Sequence, residues 1–120
     1  MILNPNDERP IFLQVADGLE DEILSGVLSE DEQIPSITEF SVNYKINPAT
    51  ALKGINLLVQ EGIIYKKRGL GMFVAQGAKA KLTEKRQKSF YDSYILPIKA
   101  EAKRLGISED KLIDLIKRGE

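Results

Sequence analysis

The chain has 120 residues, with 17 basic and 18 acidic side chains, no histidine and no cysteine; that length suits one compact domain with a short appendage. The two missing residue types exclude disulfides, zinc sites of the usual kind and any Ser-His or Cys-His nucleophile, so neither a metal nor a cofactor is expected. Apolar residues at 42% argue against disorder, no run of about 18 of them exists to span a membrane, and Asp7 and Glu8 are foreign to a secretory signal, so a cytoplasmic protein is expected.

Residues 10–27 read as a helix. Phe12, Val15, Ala16, Leu19, Ile23 and Val27 recur at three- and four-residue steps and share one face. Pro10 suits the first turn, and Ser29-Glu30-Asp31-Glu32 reads as a turn. A short second helix follows Pro35. Ser36 and Glu39 have capping-box spacing there, and Ile37, Phe40 and Tyr44 face the core. The third helix opens with Asn47 as N-cap and Pro48 at the first position; Ala51, Ile55, Leu58 and Val59 form its stripe, and Gly62 stops it. A hairpin follows: Ile63–Arg68, the loop Gly69-Leu70-Gly71, and Met72–Ala75 returning. Helix, helix-turn-helix, hairpin is the order of a winged helix-turn-helix.

Gln76-Gly77 reads as a joint, dividing residues 1–76 from a helical tail, 77–120. A helical pattern runs from Ala78 to Leu105, carried by Phe90, Tyr94, Ile98, Ala102 and Leu105, and Pro97 should kink it or divide it at Leu96. Gly106 ends it, and Ser108 caps a last helix whose apolar side is Leu112, Leu115 and Ile116. The expected fold class is mainly α with a small β-hairpin, a winged helix-turn-helix plus a C-terminal two-helix dimerisation tail.

Charge is unevenly spread. Residues 1–35 carry a net −8, residues 36–75 carry +3 and residues 76–120 carry +4. Phosphate binding needs a local positive face rather than a positive total. The second helix of a helix-turn-helix enters a major groove by its N-terminal end, which makes Asn47, Ala49, Thr50 and Lys53 the groove-facing set. Ser36 can offer its hydroxyl and nearby N–H groups to a phosphate, aided by the helix dipole, although capping alone also explains Ser36 and Asn47. Lys66, Lys67 and Arg68 bring three cations to the wing, and Gly69 and Gly71 let its backbone approach a sugar–phosphate or a minor-groove floor. A solvated hairpin with routine turn glycines is the plainer alternative. Neither a dinucleotide fingerprint nor an RNA-recognition platform fits, because the third glycine and the stacking aromatics are missing.

Several stretches together resemble the GntR family of bacterial transcription regulators. They are Pro10-Ile11-Phe12 through Leu24-Ser25-Gly26, Ile34-Pro35-Ser36, Asn47-Pro48-Ala49-Thr50, Leu58 with Glu61-Gly62-Ile63-Ile64-Tyr65, and Arg68-Gly69-Leu70-Gly71-Met72-Phe73-Val74. The tail ending Ala102-Lys103-Arg104-Leu105-Gly106-Ile107-Ser108 resembles the small YtrA-type branch. The resemblance implies a dimeric winged-helix repressor of a few genes, with a helical dimerisation tail in place of a large effector domain. Thr38 stands where the family usually has arginine, and Pro48, Ala49, Leu52 and Leu70 occupy positions often basic or polar there. Each lost arginine contact is worth roughly 1–3 kcal/mol.

The expected partners are double-stranded DNA and a second copy of the chain. Two recognition helices would then meet half-sites on a near-palindrome. The dimer seam is assigned to Phe90, Tyr91, Tyr94, Ile98, Leu105, Leu112, Leu115 and Ile116, because a lone tail cannot bury both faces of its helices. The competing use of that stripe is a pocket for a small-molecule effector of unspecified chemistry. The competing function is a winged-helix module that docks protein and binds DNA weakly or not at all. No pair of carboxylates, lysines or hydroxyls forms a catalytic pattern, so no enzyme is expected.

Overall fold

The computed structural model describes residues 1–119. Two compact units divide the chain, Met1–Thr83 and a second from Glu84 onward.

The first unit opens with α1 (Ile11–Ser25), which buries Val15, Ala16, Leu19 and Ile23. Gly26 takes a left-handed φ of 87° and ends the helix. The periodic stripe therefore stops before Val27, which is 66% exposed, and Leu28 fills the core instead. The expectation that Val27 faces the core fails for that reason. Helix α2 (Ile37–Tyr44) carries the expected capping box: the Glu39 N–H donates to Ser36 Oγ at 3.1 Å, and the Ser36 N–H donates to Glu39 Oε1 at 3.0 Å. Phe40 is fully buried, and Tyr44 packs beside it with ring centroids 5.5 Å apart. The turn to the next helix is fixed by Lys45 at φ 53° and by Ser41 Oγ, which donates to the Ile46 carbonyl at 2.6 Å.

Helix α3 (Pro48–Gln60) buries Ala51, Gly54, Ile55 and Leu58. Gly54 marks a close crossing of α1 and α3: a Cβ there would lie 2.5 Å from the Phe12 carbonyl oxygen. The hairpin pairs β1 (Ile64–Lys67) with β2 (Gly71–Val74) antiparallel, in the register Ile64↔Val74, Tyr65↔Phe73, Lys66↔Met72, Lys67↔Gly71. Segment 31–34 adds an edge to this sheet that the sequence does not announce. Gln33 bridges Phe73, the Ile34 N–H donates to the Met72 carbonyl at 2.9 Å, and the Val74 N–H donates to that of Glu32 at 2.9 Å. The acidic turn before it has structural work. Glu30 accepts from the Gly77 N–H at 2.8 Å, and Asp31 accepts from Gln76 Nε2 at 2.9 Å and from Tyr65 Oη at 3.2 Å.

Helix α4 (Ala78–Phe90) begins directly after Gly77, and its Ala78 and Leu82 are fully buried with the first unit's core. This unit therefore continues past residue 77 to Thr83. In the second unit a π-helical turn, Tyr91–Ile95, precedes α5 (Leu96–Arg104), and α6 (Glu109–Lys117) follows with Ser108 as its cap. Pro97 accounts for the wide turn: it has no N–H for the Ser93 carbonyl, and its ring would crowd an α-helical turn there. The Leu96 N–H reaches back to the Tyr91 carbonyl instead. The expected division at Leu96 thus takes the form of one widened turn. Among the described residues no helix is long and apolar enough to cross a membrane.

Candidate nucleic-acid interface

Three elements of the first unit supply the surface. The front of α3 is open: Asn47, Pro48, Ala49 and Lys53 are exposed, and Thr50 is half-buried. Asn47 Oδ1 accepts from the Ala49 N–H at 2.8 Å, so capping occupies the oxygen and leaves the amide NH₂ available. Lys53 lies back over α1, its ammonium 4.1 Å from the Phe12 ring centroid. The side chain spans the α1–α3 crossing and holds its charge beside the recognition surface.

The start of α2 is the second element. Ser36 and Thr38 are exposed. The capping box commits the Ser36 lone pair and N–H, yet its hydroxyl proton remains a donor. The Glu39 carboxylate sits at the same helix end and offsets part of the positive dipole. Lys66 brings a cation to the same surface. Ser36, Gln33, Ile37, Lys66, Gly71 and Met72 line one concavity of about 250 Å³.

The wing is the third element, and strand geometry splits its basic triplet. Successive side chains on a strand alternate faces. Lys66 shares the Ile64 side, across from Met72, and turns toward α2. Lys67 shares the opposite face with Tyr65 and Phe73, its ammonium 4.6 Å from the Phe73 centroid and 5.7 Å from that of Tyr65. Arg68 is exposed in the loop between the strands. Gly69 has open space around it, as an approach to backbone requires. Gly71 does not: at φ 119° a Cβ there would stand 2.5 Å from Gln33 Nε2. The left-handed φ accounts for the glycine, and the absent side chain leaves room for Gln33, a residue whose role no local pattern in the sequence signals. Arg9, the one base of the acidic first third, is hydrogen-bonded to Asp17, and that bond together with Asp7 raises its pKa further.

The sequence and fold are matched by known proteins. The family described as bacterial regulatory proteins, gntR family, matches residues 12–74. The chain belongs to the GntR family. The regulator is 27% identical over 115 residues to the HTH-type transcriptional repressor YtrA of Bacillus subtilis, covering 96% of this chain and 88% of that one. A solved GntR-family regulator from Bacteroides thetaiotaomicron is 34% identical with a TM-score of 0.71, covering 89% of this chain and 93% of that one. The structure of AraR(DBD) in complex with operator ORX1 is 30% identical with a TM-score of 0.56, over 62% of this chain and 93% of that one. The regulator is a DNA-binding transcription factor with a winged helix-turn-helix, and not an enzyme.

In the second unit the tail residues lie outward. Phe90, Tyr91, Tyr94, Ile98, Leu105 and Ile116 are all exposed, Tyr94 by 57% and Ile116 by 68%. Phe90 and Tyr94 pair with ring centroids 5.4 Å apart, and Lys99 Nζ donates to Tyr91 Oη at 3.2 Å. Leu112 and Leu115 are half-buried, and Leu112 lines a small concavity with Ala102 and Ile107. Leu96 and Ile113 are exposed as well and extend the apolar surface beyond the residues predicted for it. Among large apolar and aromatic side chains of this unit none is fully buried; Ala102 is its buried apolar residue among those described.

Proposed function

We propose that this regulator represses a small set of genes in the cytoplasm by binding a near-palindromic operator as a homodimer. The front turn of α3 lies in the major groove, where Asn47, Ala49, Thr50 and Lys53 read base edges or hold the flanking phosphates. Thr50 directs sequence preference, by its hydroxyl or by its methyl against a thymine methyl. Ser36, Thr38 and Lys66 grip a backbone phosphate at the start of α2. Lys67, Arg68 and Gly69 form the wing that follows the adjacent backbone.

The observation that supports this reading is the concavity in which Ser36, at the start of α2, meets Lys66 and Gly71 of the wing. The exposed apolar stripe of the second unit supports the homodimer, because a second copy removes it from water. Its outward placement favours a seam over an effector pocket.

Selection of bound fragments from the host genome by the full-length protein tests the proposal. Enrichment of a two-fold-related motif is expected, with half-sites one helical turn or a multiple of it apart. A Thr50→Ala variant should shift the enriched bases rather than lower affinity for every duplex. Capture of fragments without a common motif contradicts the reading, and failure to retain any DNA favours the protein-docking alternative.

A further inference from the structure

We propose that Gln33 is a positioning residue for DNA binding: it holds the wing tip in place beside the start of α2. The inference rests on the reading that the wing touches DNA. Gln33 Nε2 donates to the Leu70 carbonyl at 2.8 Å, a contact between residues 37 apart in sequence. The same carboxamide lies over Gly71, whose missing Cβ makes room for it. The Gln33 backbone bridges Phe73 in β2, and two residues on, Pro35-Ser36 leads into α2. One residue thus joins the wing loop, the wing strand and the phosphate-binding helix end.

The tip needs such a tie. Leu70 is 65% exposed, so its side chain does not anchor the loop by packing. The Leu70 N–H donates to the Lys67 carbonyl at 2.9 Å, which closes the loop without orienting it against α2. Gln33 supplies that orientation. Ordering the tip before DNA arrives removes an entropy cost from the binding step. Glutamine is neutral, so its removal changes placement and leaves the charge facing DNA unchanged.

The test uses the full-length protein and a genome-selected duplex, with Gln33→Ala, Lys66→Ala/Arg68→Ala and the triple variant. Gln33→Ala should keep the wild-type Tm, since the side chain is exposed. In the free protein, backbone order parameters should fall at Leu70 and Gly71 and nowhere else. Affinity of the homodimer should fall about 10- to 100-fold, the range of two net hydrogen bonds, one in each protomer, with the salt dependence unchanged. In the Lys66→Ala/Arg68→Ala background, Gln33→Ala should cost less than in the wild-type background, because the tip it positions has lost two of the wing's cations. If that double variant binds as tightly as wild type, the wing is not a contact and the underlying reading fails. If the double variant is weakened but Gln33→Ala lowers affinity equally in both backgrounds, or leaves the tip's order unchanged, the positioning role is overturned.

Discussion

Single residues at the α1–α3 crossing set how the recognition helix is held. Gly54 lets the helices meet so closely that a methyl group would press on the Phe12 carbonyl, which is backbone and cannot turn aside. Gly54→Ala gains about 1 kcal/mol of helix propensity but incurs an overpacking cost of roughly 1–3 kcal/mol. The cost should win, giving a net loss of about 1 kcal/mol as a lower urea midpoint with an unchanged m-value. An unaltered midpoint would mean that the helices can separate freely. At the same crossing, the ammonium of Lys53 sits over Phe12. Phe12→Leu removes the ring face, and the lysine then spends more time in solvent before the groove. Affinity for operator should change, while affinity for random duplex at matched salt should stay within about twofold, since the phosphate-facing charge is the same. A lone glycine in a helical pattern does not by itself announce a crossing, so Gly54 goes unmarked in the sequence; its partner is hidden as well, because periodicity within α3 carries no information about which carbonyl lies opposite.

At the scale of elements, the caps are legible in the sequence and the sheet edge is not. Ser36, Glu39, Asn47 and Pro48 act through neighbours three residues away or fewer, so spacing alone locates the starts of α2 and α3. Segment 31–34 pairs with residues some forty positions later, and its acidic, turn-like composition hides the pairing. The triplet at 66–68 is visible as charge, but only the strand register separates Lys66 from Lys67. The split gives a prediction. Lys66→Ala should reduce phosphate attraction more than Lys67→Ala, whose ammonium lies over Phe73 and Tyr65. Fluorescence anisotropy with a short duplex checks the order, and equal losses would place both lysines on the same footing before DNA. The Ser36→Ala variant should lower stability by about 1 kcal/mol through the lost cap and also weaken DNA binding. Ser36→Gly should keep most of the stability but not the binding, which separates capping from phosphate contact.

For the whole molecule, the division into two units decides where function can be separated. Ala78 and Leu82 belong to the first unit's core, so a cut after Gly77 would strip two buried side chains, whereas a cut after Thr83 leaves that unit intact. The composition change at Gln76-Gly77 marks a joint in the backbone, and the buried face of α4 continues past it. The second unit keeps its aromatic residues exposed, and Tyr94→Glu with Ile98→Glu should convert the proposed dimer to a monomer without loss of helix content. Analytical ultracentrifugation with circular dichroism checks both halves of that statement. A variant that still sediments as a dimer would remove the aromatic stripe from the interface.

On the proposed reading, phosphate contact by the helix starts and the wing binds this regulator to its operator, and salt dependence measures that contact directly. Affinity of the full-length protein for a genome-selected duplex should fall linearly in log–log form as salt rises. The Lys66→Ala/Arg68→Ala variant should show a slope shallower by about 3.6 for the homodimer, two cations lost from each protomer at ~0.9 each. A wild-type slope near zero, or the same steep slope in both proteins, would contradict it.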